Sequence, residues 1–65
     1  MLITLNGTSR EVQAATLAAL IDELDLGEAT VATALNQAFV RAADRSATRL
    51  AEGDAVEIVS PRQGG

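Results

Sequence analysis

Sixty-five residues make one domain, close to the lower limit at which an apolar core holds a fold by itself. The chain has no cysteine and no histidine, so disulfides, thiolate metal sites and the usual general base are all excluded, and no cofactor or metal is expected. Five arginines, no lysine and nine acidic residues give a formal charge of −4, which suits basic protein partners and argues against nucleic acid or an anionic membrane.

Met1 to Leu5 is predicted as a strand, with Ile3 and Leu5 on one face and Leu2 and Thr4 on the other. Its apolar run is too short for a signal peptide, and no stretch approaches a membrane span, so a cytoplasmic protein is expected. Asn6-Gly7 is the strongest hairpin signal in the chain. Thr8 to Gln13 forms the returning strand, with Val12 inward.

Thr16 is placed to cap a helix that starts at Leu17. Ala19 stands where a capping box would need an acidic residue, so the box is incomplete. Leu17, Leu20, Ile21 and Leu24 recur at helical spacing and form one apolar stripe, with Asp22, Glu23 and Asp25 towards water. Gly27 is the expected stop after Leu26. A helix with one stripe needs a surface to cover, and the hairpin supplies it.

Glu28 to Thr30 connects onward. Val31, Thr33 and Leu35 alternate with Ala32 and Ala34, which predicts a third strand. A helix over 32–43 is the alternative, because alanine favours helix. Asn36-Gln37 as a turn and Phe39-Val40 as a short strand support the β reading. Ala42, Ala43 and Ala47 suit a helical turn, with Leu50 as an apolar anchor. Arg41, Arg45 and Arg49 recur four apart and read as a solvated face. Gly53-Asp54 makes a turn, and Ala55 to Val59 is the last strand, with Val56 and Ile58 inward and Glu57 outward. The fold class is therefore α+β, a domain over 1–59 with a tail over 60–65.

The tail, Ser60-Pro61-Arg62-Gln63-Gly64-Gly65, ends in Gly-Gly. Glycine lacks a Cβ and accepts dihedrals that other residues avoid, so such an end can enter a narrow channel. Pro61 restricts its own φ and biases Ser60 towards an extended form, which predicts a stiff stem with a pliable tip. The terminal carboxylate is the candidate functional group. Nothing else in the chain forms a Ser/His/Asp, Cys/His or paired-carboxylate arrangement, and no Gly-rich phosphate loop is present, so the chain is not expected to be an enzyme. The only aromatic is Phe39, which rules out a base-stacking platform.

The order of features resembles the ThiS family, the small sulfur carriers of thiazole synthesis in thiamine production. The resemblance runs through Ile3-Thr4-Leu5-Asn6-Gly7, Thr16, Val31 to Asn36, Phe39-Val40, Leu50, Gly53-Asp54-Ala55-Val56-Glu57-Ile58-Val59 and the closing Gly64-Gly65. It implies a β-grasp, ubiquitin-like fold, with a mixed sheet packed on one main helix. It also implies that Gly65, preceded by Gly64, is the sulfur-carrying terminus. The Gly65 carboxylate would be adenylated by ATP on a separate ThiF-like adenylating enzyme and converted to a thiocarboxylate with a sulfur-transfer protein. Thiazole synthase would then take the sulfur.

The chain departs from the family pattern after the Asn36-Gln37 turn. Members usually carry a proline-arginine pair there and often a tryptophan, where this chain has Val40-Arg41-Ala42-Ala43 and no tryptophan. Pro61-Arg62-Gln63 is also less apolar than the approach to the glycines in many members. The MoaD-like small subunit of molybdopterin synthase is the nearest rival resemblance. The short chain and Leu5-Asn6-Gly7 favour the thiamine branch. A β-grasp interaction module with inert glycines is the alternative of a different class.

Overall fold

A computed structural model describes residues 1–60 of the chain. The elements in order are β1 (Leu2–Leu5), β2 (Thr8–Glu11), α1 (Leu17–Glu23), β3 (Ala32–Leu35), β4 (Ala38–Val40), a 3-10 helix (Ala42–Ala47) and β5 (Ala55–Val59). The strands form one five-stranded sheet in the order β2-β1-β5-β3-β4. Two antiparallel hairpins, β1-β2 and β3-β4, flank β5, which runs parallel to β1 and antiparallel to β3. A mixed sheet packed on one main helix is the β-grasp arrangement.

The alanine-rich stretch 32–34 is strand, because its partners outvote its propensity. β3 is paired on both sides, with β4 through Thr33↔Val40 and with β5 through Thr33↔Ile58. Asn36 and Gln37 then take positive φ values of 50° and 74°, which reverse the chain and end any helix. Asn6 and Gly7 do the same in the first hairpin at 50° and 84°. The two hairpins share one turn geometry, the first with glycine in its second position and the second with a strained glutamine.

The sheet's inner rows are set by register. Val40, Thr33 and Ile58 lie side by side, as do Ala38, Leu35, Val56 and Leu5. Ile3, Val12, Ala14, Leu17, Leu20, Ile21, Leu50, Val56 and Ile58 are the buried apolar core, with Leu24, Leu26, Val31 and Leu35 packed around it. Thr33 is the buried polar residue of this core, and its hydroxyl is satisfied by donating to Val40 O at 2.8 Å.

Thr16 caps α1 as the sequence predicts, its Oγ1 accepting from Ala19 N at 3.1 Å. The helix stops earlier than Gly27, however. Leu24 is the C-cap, and Asp25 takes the left-handed conformation at φ 63°. Asp25 N donates to Asp22 O and Leu26 N to Ile21 O, the paired bonds of a Schellman stop. An aspartate does here what glycine more often does, so the glycine two residues later misleads. Leu26 survives as a contact with the core beyond the helix.

The arginine triplet also divides. Arg41 pairs with Asp44 on the surface at 3.1 Å, and Arg49 is exposed, as a solvated face requires. Arg45 departs from that expectation. Its Nε donates to Thr33 Oγ1 at 3.1 Å and its guanidinium to Val31 O at 2.7 Å. The 3-10 helix is thereby tied to β3, and a carbonyl that precedes the strand is satisfied. Glu23 is likewise not merely solvated, since its carboxylate accepts from Gln13 N at 3.0 Å and Ala14 N at 2.9 Å. That contact fixes the entry to α1 against the helix's own last turn.

Leu20 is completely buried, and truncating a buried leucine costs about 2–5 kcal/mol, as much as the roughly 3–5 kcal/mol that holds a domain of this size. Leu20→Asp also buries a charge. It is expected to leave no cooperative melt by circular dichroism; a normal melt would place Leu20 outside the core. Gln37→Gly should act oppositely. Removing the Cβ at φ 74° relieves a left-handed strain, and a gain of about 1 kcal/mol in urea unfolding is expected.

Candidate functional site

The sequence directs attention to the end of the chain, and the structure describes the strand that precedes it. The tail leaves from β5, the central strand of the sheet. Its last residues are gripped on both edges. On one edge, Thr33 and Ala32 pair with Ile58 and Val59. On the other edge the β1 ladder is short, with Thr4↔Ala55 and Leu5↔Val56 as its registered pairs. Beyond Leu5 the chain turns away into the hairpin, and Ile58 would lose its neighbour there.

Asn6 supplies the missing neighbour. Its backbone N–H donates to Val56 O at 2.9 Å. Its side-chain amide then continues the ladder: Nδ2 donates to Ile58 O at 3.0 Å, and Oδ1 accepts from Ile58 N at 2.9 Å. A carboxamide carries one acceptor and a donor group in the same plane, as a peptide does, so it can stand in for a strand residue. The left-handed backbone at Asn6 is what swings the side chain to this edge.

Asn36 performs the matching task at the start of β5. Its N–H donates to Ala55 O at 2.7 Å, and its Oδ1 accepts from Ala55 N at 2.9 Å. Its Nδ2 reaches Asp54 Oδ1 at 3.2 Å, while the other Asp54 oxygen accepts from Ala51 N at 2.8 Å and closes the Gly53 turn. Each hairpin tip therefore clamps one end of β5. From sequence, both asparagines read only as turn residues; an asparagine at the first position of a hairpin beside a central strand is the signal that identifies the clamps.

The outer face of the sheet above β5 is nearly bare. Register sets Phe39, Ala34 and Glu57 in one row and Ala32 beside Val59 in the next. Phe39 is 70% exposed and Val59 57% exposed. With Ala32, Thr33 and Ala34 they line a shallow hollow of about 180 Å³ that Glu57 borders. Among the described residues Glu57 joins neither of the two ion pairs, Met1–Glu11 and Arg41–Asp44.

No group of three or more Asp or Glu side chains among the described residues is arranged to hold a metal ion. A larger open hollow of about 660 Å³ lies against Asp22, Asp25, Gly27, Glu28 and Ala29, at the end of α1 and outside the sheet that carries the tail. Among the described residues no helix is long and apolar enough to cross a membrane. Gly64 and Gly65, with the stiff stem expected at Pro61, lie outside the described residues.

Comparison with known proteins points to one family. The model of the ThiS family matches residues 3–65. Among solved structures, the crystal structure of the thiamine biosynthesis protein ThiS from Geobacter metallireducens is 30% identical, with 100% of both chains covered and a TM-score of 0.84. No protein matches among the curated sequences searched.

Asn6→Gly tests the clamp without introducing strain, since glycine accepts the same φ. Two hydrogen bonds at a net 0.5–1.5 kcal/mol each predict a loss of about 1–3 kcal/mol in denaturant unfolding. Native-state hydrogen exchange at Ile58 should quicken more than exchange at Val56, which keeps its own ladder contacts. Equal exchange at both would mean that the side chain holds nothing.

Proposed function

The chain belongs to the ThiS family and is a sulfur carrier of thiamine biosynthesis, not an enzyme, and on that footing we propose that the carboxyl group of Gly65 carries the sulfur. The observation that carries this reading is the family match, which extends to Gly65 itself. The architecture of the chain end supports it. A central strand held by Asn6 on one edge and by β3 on the other gives the tail a firm base. Residues 1–59 are then the carrier body and residues 60–65 the tail that a partner takes up.

The chemistry is the one that membership of the family implies. The Gly65 carboxylate attacks the α-phosphorus of ATP on a ThiF-like adenylating enzyme, and pyrophosphate leaves. A hydrosulfide-level sulfur delivered by a sulfur-transfer protein attacks the acyl carbon, the C–O bond to AMP breaks, and a thiocarboxylate remains. Thiazole synthase consumes it. The carrier contributes no base, metal or phosphate-binding loop to these steps, and its sequence offers none. Gly64 supplies the narrow approach. All of this belongs in the cytoplasm.

Intact mass spectrometry tests the reading. After incubation with ATP, magnesium, sulfide and the adenylating enzyme of the same organism, one oxygen should be replaced by sulfur, with fragmentation locating it on Gly65. Deleting Gly65, or adding one residue after it, should abolish the change while leaving the thermal melt intact. A capped tail that still acquires sulfur would show the terminal carboxylate to be irrelevant.

A further inference from the structure

Asn6 is followed by Gly7, and Asn36 by Gln37. The two clamps of β5 are alike in geometry and unlike in chemical durability. We propose that Asn6 is a site of spontaneous deamidation, that its two hydrogen bonds to Ile58 hold the reaction back, and that conversion of its amide to an acid unfastens the end of β5. The proposal does not depend on what the tail carries.

The reaction needs only the chain and water. The amide nitrogen of Gly7 gives up its proton and attacks Cγ of Asn6. A succinimide ring closes, the Cγ–Nδ2 bond breaks, and Nδ2 leaves as ammonia. Water then adds to one of the two ring carbonyls and opens the ring, which leaves either an aspartate or an isoaspartate at position 6. Glycine is the residue that most favours the attack, because no Cβ crowds its nitrogen and its backbone reaches the dihedrals that ring closure needs. The surroundings add no crowding either, since even a Cβ built at Gly7 would meet nothing within 4 Å. Asn6 is exposed, so water has access to the ring. At Asn36 the attacking nitrogen belongs to Gln37, whose side chain obstructs the same closure.

The fold opposes the reaction through the clamp. Nδ2 donates to Ile58 O at 3.0 Å, and Oδ1 accepts from Ile58 N at 2.9 Å. Both terminal atoms are tied to β5, and Cγ lies between them. Turning Cγ onto the Gly7 nitrogen requires the side chain to rotate and release both bonds. The turn itself, with φ 50° at Asn6 and 84° at Gly7, is fixed by the strand pairing that begins at Leu5↔Thr8.

Conversion has a direct structural consequence. A carboxylate has no N–H to give, so an aspartate would set an anionic oxygen against Ile58 O in place of its donor. An isoaspartate routes the main chain through the former side chain, so the carboxamide is lost altogether. Ile58 is then left without its partner on the β1 side, because the registered pairs of β1 with β5 stop at Leu5↔Val56.

Timed incubation at neutral pH, in buffer and in guanidinium chloride, tests this when followed by trypsin and mass spectrometry. Cleavage after Arg10 and Arg41 puts Asn6 in the fragment 1–10 and Asn36 in the fragment 11–41. In the unfolded chain the fragment 1–10 should gain the acid, as separable aspartate and isoaspartate forms, while the fragment 11–41 keeps its mass. In the folded chain conversion of Asn6 should be slower by about tenfold or more, the scale of two net hydrogen bonds that must open first. Unfolded Gln37→Gly should convert Asn36 as fast as Asn6. The converted wild-type chain, refolded, should exchange the Ile58 amide hydrogen about tenfold faster or more than the unconverted chain, with Val56 little changed. Conversion in the folded chain as fast as in the unfolded one would mean that the clamp guards nothing. An Asn6 amide that outlasts the Asn36 amide of unfolded Gln37→Gly would mean that position 6 is not labile. Unchanged exchange at Ile58 after conversion would mean that β5 does not rely on the carboxamide. Each of these three results overturns the proposal.

Discussion

The structure depends on how β5 is held. It is the central strand and the last element before the tail, yet its parallel partner β1 turns away after Leu5. A parallel ladder this short leaves the last residues of β5 supported on one side only. The Asn6 side chain mends that gap by acting as one more peptide unit. Asn36 does the corresponding work at the other end of the strand, and Asp54 joins it to the turn before β5. The two hairpin turns thus have a second purpose beyond reversing the chain. Their left-handed backbones aim two carboxamides at the strand between them.

Much of this fold was legible because alternation and helical spacing report burial directly. Val56 and Ile58 inward and Glu57 outward follow from the period of a strand, and the stripe of Leu17, Leu20 and Ile21 follows from the period of a helix. Thr16 was legible as a cap because its hydroxyl has an obvious local partner. What stayed hidden were the side chains whose partners are far away in sequence. Arg45 reads as one of three surface arginines until β3 brings Thr33 and Val31 beside it. Glu23 reads as a wet residue until the loop before α1 presents two free N–H groups to it. The helix stop was misplaced for a different reason, because glycine is a strong signal and aspartate in the same conformation is a weak one. At the chain end, Gly64-Gly65 was conspicuous in sequence, whereas the apolar hollow beside Val59 required the register that aligns Phe39 with Ala34 and Glu57.

The same register separates two jobs that would otherwise conflict. A domain this small needs nearly all its large apolar residues for its core, and the inner rows of the sheet take them. The outer rows over β3, β4 and β5 combine alanines with Phe39, Val59 and Glu57. Alanine keeps the outer surface low and flat, so a partner's backbone can come close, and it adds little that would aggregate.

A carrier of this design keeps its reactive group apart from its fold. Cysteine and histidine are absent, and the carboxylates that remain are used as clamps, surface charges and turn closures. Nothing near the sheet competes for the activated acyl group, since the chain also lacks lysine and so offers no side-chain amine to intercept it. Arginine provides all the positive side chains, and its guanidinium stays protonated and unreactive at neutral pH. The composition that first excluded catalysis therefore also leaves the carrier no lysine amine that could attack an acyl-adenylate. The clamps at Asn6 and Asn36 complete that division, because they stabilise the base of the tail through neutral amides that do not react with the group it carries.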